Sequence, residues 1–70
     1  MSTDEELIEA LKEDAKFSYG ENRLDAIDTL ATFGEDALPA LVELLEFYTE
    51  TDAQQHVREY IREIKGNRED

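Results

Sequence analysis

Apolar residues recur at every third or fourth position along almost the whole chain, and no stretch alternates at every second. That period belongs to the α-helix and leaves nothing that reads as a strand. Glycines and capping residues cut the pattern into four segments. The first helix is expected over Asp4–Phe17, with Ser2 or Thr3 as cap, a glutamate three residues on from each (Glu5, Glu6), and Gly20 as the stop. The second is expected over Arg23–Phe33, from Asn22 as cap to Gly34 as stop. The third spans Ala37–Tyr48, with Asp36 as cap and Pro39 in the first turn, where its missing N–H has no intrahelical partner to lose. The fourth spans Ala53–Lys65, capped by Thr51 or Asp52 and stopped by Gly66. Seventy residues make one domain, here 1–66 with a polar tail at 67–70. A chain of this length buries only about 60% of its unfolded surface, so its core has little to spare.

The width of each apolar arc predicts how the helices stack. At about 100° per residue, Leu7, Ile8, Leu11 and Ala15 form a narrow stripe on helix 1, and Ala53, Val57, Tyr60, Ile61 and Ile64 a narrow one on helix 4. Leu24, Ala26, Ile27, Leu30, Ala31 and Phe33 wrap about half of helix 2. Ala37, Leu38, Leu41, Val42, Leu44, Leu45 and Tyr48 do the same on helix 3. Two broad and two narrow arcs predict two inner and two outer helices: an all-α fold of four short helices in two layers, 1 beside 3 and 2 beside 4. The expected core is Leu7, Ile8, Leu11, Leu24, Ile27, Leu30, Leu38, Leu41, Leu45, Val57, Ile61 and Ile64.

An internal repeat accompanies this stack. Leu7-Ile8-Glu9-Ala10-Leu11 aligns with Leu41-Val42-Glu43-Leu44-Leu45 at an offset of 34, and the same offset pairs Ile27 with Ile61 and Leu30 with Ile64. Helix pairs repeating with a period in the mid-thirties are a signature of helical repeat proteins. Arg23, Ala26, Leu30 and Gly34, then Asp36-Ala37-Leu38-Pro39-Ala40-Leu41 and Leu44-Leu45, resemble a HEAT repeat of the short bacterial and archaeal type, and His56-Val57-Arg58 with Ile61 resembles the opening of the next. The resemblance implies about two HEAT-like helix pairs and a role in binding other proteins.

Charge narrows the partners. Nineteen acids against seven Lys and Arg give a net −12. Residues 1–52 hold fifteen acids and three bases, whereas 53–70 hold four of each. Direct binding to nucleic acid or to anionic lipid needs a cationic footprint that such a chain lacks. The longest apolar run, Ala37–Val42, is far too short to span a bilayer, and Asp4, Glu5 and Glu6 stand where a signal peptide carries basic residues, so a cytoplasmic protein is expected. Without cysteine there is no thiolate metal site. The lone His56 has no converging ligands or nucleophile in sequence, and the glycines sit at expected helix ends, so neither enzyme activity nor a cofactor is expected.

Two surface features remain as candidate partner-binding sites. Phe17 and Tyr19 follow helix 1, Phe47 and Tyr48 end helix 3, and the parallel course of these helices gathers the four aromatics at one end, beside Glu43, Glu46 and Glu50. Aromatics of this kind anchor interfaces. Arg58 and Arg62, with Lys65, form a basic stripe on helix 4, suited to an acidic partner or to the acidic half of a second copy in a homodimer. The favoured reading is a small, non-enzymatic protein-interaction module. Two others compete. In one, Glu5, Glu9, Glu13, Asp25, Asp28, Glu43, Glu46 and Glu50 mimic nucleic acid and block a basic groove. In the other, the acidity and the low lysine count adapt the chain to a salt-rich cytoplasm, as in halophilic archaea.

Overall fold

In the computed structural model, which describes residues 3–68 and the side chains of 4–66, the four segments fold as α1 (Thr3–Phe17), α2 (Gly20–Ala31), α3 (Leu38–Phe47) and α4 (Thr51–Arg68). A 3₁₀ turn, Gly34–Ala37, leads into α3. No strand occurs among the described residues, and the all-α expectation holds.

The helix ends depart from the capping pattern. The Ser2 and Thr3 side chains lie outside the described set. Helix α1 closes at Phe17, with the Ser18 N–H on the Asp14 carbonyl at 2.9 Å, and only Ser18 and Tyr19 precede α2. Gly20 opens α2 rather than trailing α1: its φ of +60° turns the chain straight into the new helix, so Asn22 falls inside the first turn and caps nothing. A side chain in that left-handed region costs roughly 1–2 kcal/mol, which is why glycine stands there. Gly34, at φ +66°, is different: Thr32 and Phe33 before it stay right-handed, so it ends that run as the expected stop and begins the 3₁₀ turn. The α-helical bonding of α2 stops at Ala31, two residues early, where Thr32 and Phe33 tighten to bonds onto Thr29 and Leu30, and Asp36 sits within the turn instead of capping α3. Pro39 falls in the first turn of α3, as expected. Gly66 does not end α4, which runs on through Asn67 and Arg68. An interior glycine costs only about 1 kcal/mol relative to alanine.

Helices α2 and α3 each pack against all three other helices, while α1 and α4 pack mainly on those two. The broad apolar arcs therefore belong to the inner pair. The largest interfaces join chain neighbours, α1 with α2 and α3 with α4. The thinnest dimension, 18 Å, holds two helix layers, each about 10 Å across.

Ile27, Leu30, Leu41, Leu44 and Val57 are the large side chains with no exposure, with Ile8 and Ile61 nearly so. Leu11, Leu38, Leu45 and Ile64 pack on this cluster partly buried. Leu7 and Leu24 are corrections, because both are exposed. Their places go to small residues: Ala15, Ala26, Ala37, Ala40 and Ala53 are buried, as suits surfaces where backbones approach closely. Tyr48 and the charged Lys12 are buried too.

Candidate functional site

Helices α1 and α3 run parallel, for the contacts between them advance in the same sense along both: Lys12 and Lys16 to Glu43, Ala15 to Tyr48, Phe17 to Phe47. Their C-terminal ends consequently meet at one end of the domain. Two aromatics there have separate jobs although they are neighbours in sequence. Tyr48 is only 4% exposed and donates its hydroxyl to the Ala15 carbonyl at 2.6 Å. That carbonyl lies in the last turn of α1, where helical carbonyls have no partner of their own. Burial pushes the Tyr48 hydroxyl above its ordinary pKa and keeps it a donor. Tyr48 is thus a core residue, which corrects its expected place in a docking surface.

Phe47, one position on, points outward. It is 45% exposed and meets Phe17, itself 67% exposed, edge to face at 6.1 Å between ring centroids. The Lys16 ammonium lies 5.3 Å from the centre of the Phe47 ring. Tyr19 is more exposed still and has no ring contact among the described residues, so three of the four aromatics gather and the fourth does not.

The acids expected beside them are largely engaged. Glu43 accepts from Lys16 at 2.5 Å and from Lys12 at 3.1 Å, and Lys12 also pairs with Glu9. The Lys16 and then the Lys12 hydrogen bonds hold the Glu43 carboxyl below the usual range. The bond to Glu9, with Glu43 adding, raises Lys12 despite opposing desolvation. Glu50 pairs with Arg23 at 2.9 Å, and that guanidinium in turn lies 5.1 Å from the Tyr48 ring centre. Of the three glutamates only Glu46 has no ion pair among the described residues. Glu43 and Glu50 tie α1 and α2 to α3 and its C-terminal link, so they are not an open acidic face. Their cations lie 27 to 31 positions away in sequence, beyond any local spacing signal.

A second cluster joins α2 to α4. Asp28 accepts from the Tyr60 hydroxyl at 2.5 Å and lies 3.1 Å from His56 Nε2, and the His56 and Tyr60 rings meet edge to face at 5.1 Å. The partner of His56 is therefore on another helix, not Glu59 or Glu63 on its own. The Tyr60 bond, with help from His56, lowers the Asp28 pKa, while the same bond pushes Tyr60 up to about 12. Both shifts lead away from neutrality, where a general acid or base must exchange its proton. The cluster borders an open groove of about 670 Å³ lined by Ala31, Thr32, Glu35, Glu63 and Ile64. No group of three acids or histidines is placed to hold a metal ion among the described residues.

These shifts set a pH window. A carboxyl lowered on folding stabilises fully above its unfolded pKa, and that stability is lost as pH falls through the folded value. A tyrosine raised on folding acts oppositely: its contribution is full below its unfolded pKa and lost as pH rises through the folded one. Helicity followed by circular dichroism should therefore fall below pH ~4 and again toward pH ~12. Asp28→Asn should blunt the acid limb, and an unchanged acid limb in that variant would remove Asp28 from the account.

Arg58 and Arg62 are exposed on α4 and, among the described residues, have no ring contact with the aromatic end. No helix among the described residues is long and apolar enough to cross a membrane. No family model, curated protein or solved structure matches the chain.

Proposed function

We propose that the chain is a non-enzymatic protein-binding module, of the HEAT-like kind its sequence resembles, which docks a protein partner on the Phe17–Phe47 pair. The observation that carries this reading is the division of labour at the aromatic end. Tyr48 already closes the core there, so a lid requires neither phenylalanine. Two rings nonetheless stand proud of the surface, fixed against each other at the ends of two packed helices, with Lys16 and Glu43 forming a charged rim. Buried aromatic anchors inside a polar rim are what interface hot spots consist of. The nucleic-acid mimic is the weaker reading because Glu9, Glu43, Glu50 and Asp28, all among the residues it needs, are engaged within the fold.

The test is affinity capture with wild type beside Phe17→Ala, Phe47→Ala and Glu46→Gln, with the captured partner then titrated against each. Each phenylalanine variant should cost about 2 kcal/mol or more, some thirtyfold in Kd, at unchanged helicity. Glu46→Gln should leave binding within twofold. The reverse pattern would hand the partner to the acidic surface.

A further inference from the structure

We infer that the flank shared by α3 and α4 is a second docking surface, one that takes an acidic amphipathic helix of a partner protein. Six cations have described side chains. Lys12, Lys16 and Arg23 each contact a carboxylate. Arg58, Arg62 and Lys65 are exposed and contact none among the described residues, although Glu59 and Glu63 share their helix. On a chain of net −12, three neighbouring cations that form no ion pair among the described residues are a local departure from the overall charge.

Two contacts fix how α4 is turned. Its His56–Tyr60 side meets Asp28 of α2, while Gln54 Nε2 donates to the Tyr48 carbonyl at the end of α3, at 2.7 Å. Going round the helix from Gln54, Lys65, Arg58 and Arg62 follow within about 80°. They edge the side that adjoins α3. On α3, Glu43 and Phe47 face α1, and Leu38, Val42 and Leu45 occupy the other flank. Val42 is 39% exposed and the two leucines are only partly buried. The surface is an apolar strip beside a cationic rail, with Glu46 farther out on α3.

The spacing selects the occupant. Cations at i, i+4 and i+7 cover about 10 Å of helix axis, which a partner helix matches with carboxylates at the same spacing and apolar residues beside them. A second copy of this chain fits poorly. Rail against rail sets cation on cation, and rail against the acidic half brings together two whole chains of net −12, more repulsion than a short helix with a few carboxylates carries.

The probe is a fluorescein-labelled synthetic peptide of about 16 residues, or four helical turns. It carries leucines along one face and glutamates at i, i+4 and i+7 beside them. A control peptide has lysine in place of glutamate. Anisotropy should saturate with the glutamate peptide only, with affinity falling as salt rises. The triple variant Arg58→Ala/Arg62→Ala/Lys65→Ala should raise Kd by about tenfold or more. Val42→Ser should raise it several-fold, and Phe47→Ala should leave it unchanged, which separates this surface from the aromatic end. Circular dichroism checks that each variant keeps its helicity. Absence of saturation, equal binding of the lysine peptide, or an unchanged Kd in the triple variant overturns the inference. So does a mass by light scattering that doubles with concentration in wild type but not in the triple variant, since that would give the surface to a second copy.

Discussion

Replacing Leu41 with alanine should leave most of the chain unfolded in dilute buffer. Leu41 has no exposure and sits mid-way along α3, the helix that packs on every other. Deleting a buried leucine side chain costs about 2–5 kcal/mol, from lost transfer energy plus the cavity left behind. A single core in a chain of this length supplies only about 3–5 kcal/mol in total. The two ranges overlap, so the variant retains little or no net stability. Leu7→Ala is the control: the same change at an exposed position should move stability by less than about 0.5 kcal/mol. Urea titration followed by helical circular dichroism reads both. If the Leu41 variant keeps a pre-transition baseline like that of wild type, Leu41 is not central to the core.

Tyr48→Ala should be as damaging, and Phe47→Ala next to it nearly silent in stability. Truncating a buried aromatic costs about 3–5 kcal/mol. Tyr48→Phe separates the ring from the hydroxyl. The Ala15 carbonyl would lose its donor in a place water does not readily reach, at about 1–3 kcal/mol. The expected order of melting temperature is wild type and Phe47→Ala together, then Tyr48→Phe, then Tyr48→Ala. A Tyr48→Phe variant as stable as wild type would show that water caps α1 equally well, and the order would fail at its middle step.

The apolar period made the helices legible, and the widths of the arcs distinguished inner from outer, because both follow from side-chain placement within one helix. Rotation about the axis was not legible to within one residue. The 34-residue alignment pairs Leu7 with Leu41, yet Leu7 is exposed and Leu41 buried, and it pairs buried Ile8 with half-exposed Val42. In burial, Ile8 corresponds to Leu41 and Ala15 to Tyr48, one position off the sequence match. Side-chain size misleads here, since leucines draw the eye to an arc whose centre is lined by alanines. One helix end was not legible either. Gly20 stands where a stop for helix 1 is expected, yet Tyr19 before it is extended and Gly20 opens α2, whereas Gly34, left-handed after the right-handed Thr32 and Phe33, is the stop its position suggests. At the candidate site, Phe47 was placed correctly by its position outside the apolar arc. Tyr48 was not, since its value lies in a hydroxyl aimed at another helix. The engagement of Glu43, Glu50 and Asp28 was equally hidden, because ion pairs between helices depend on packing that no local spacing encodes.

The preference of each helix for its chain neighbour bears on how fast the molecule forms. Most packing joins α1 to α2 and α3 to α4 across links of a few residues, so little chain entropy is lost before contacts are gained. Topologies of that kind cross their folding barrier in about microseconds to milliseconds. The two hairpins are the natural early units. The Tyr48–Ala15 hydrogen bond and the lysines on Glu43, which span them, would then close last. Stopped-flow unfolding would see this directly: loosening the clasp with Tyr48→Phe should speed unfolding and leave refolding almost untouched.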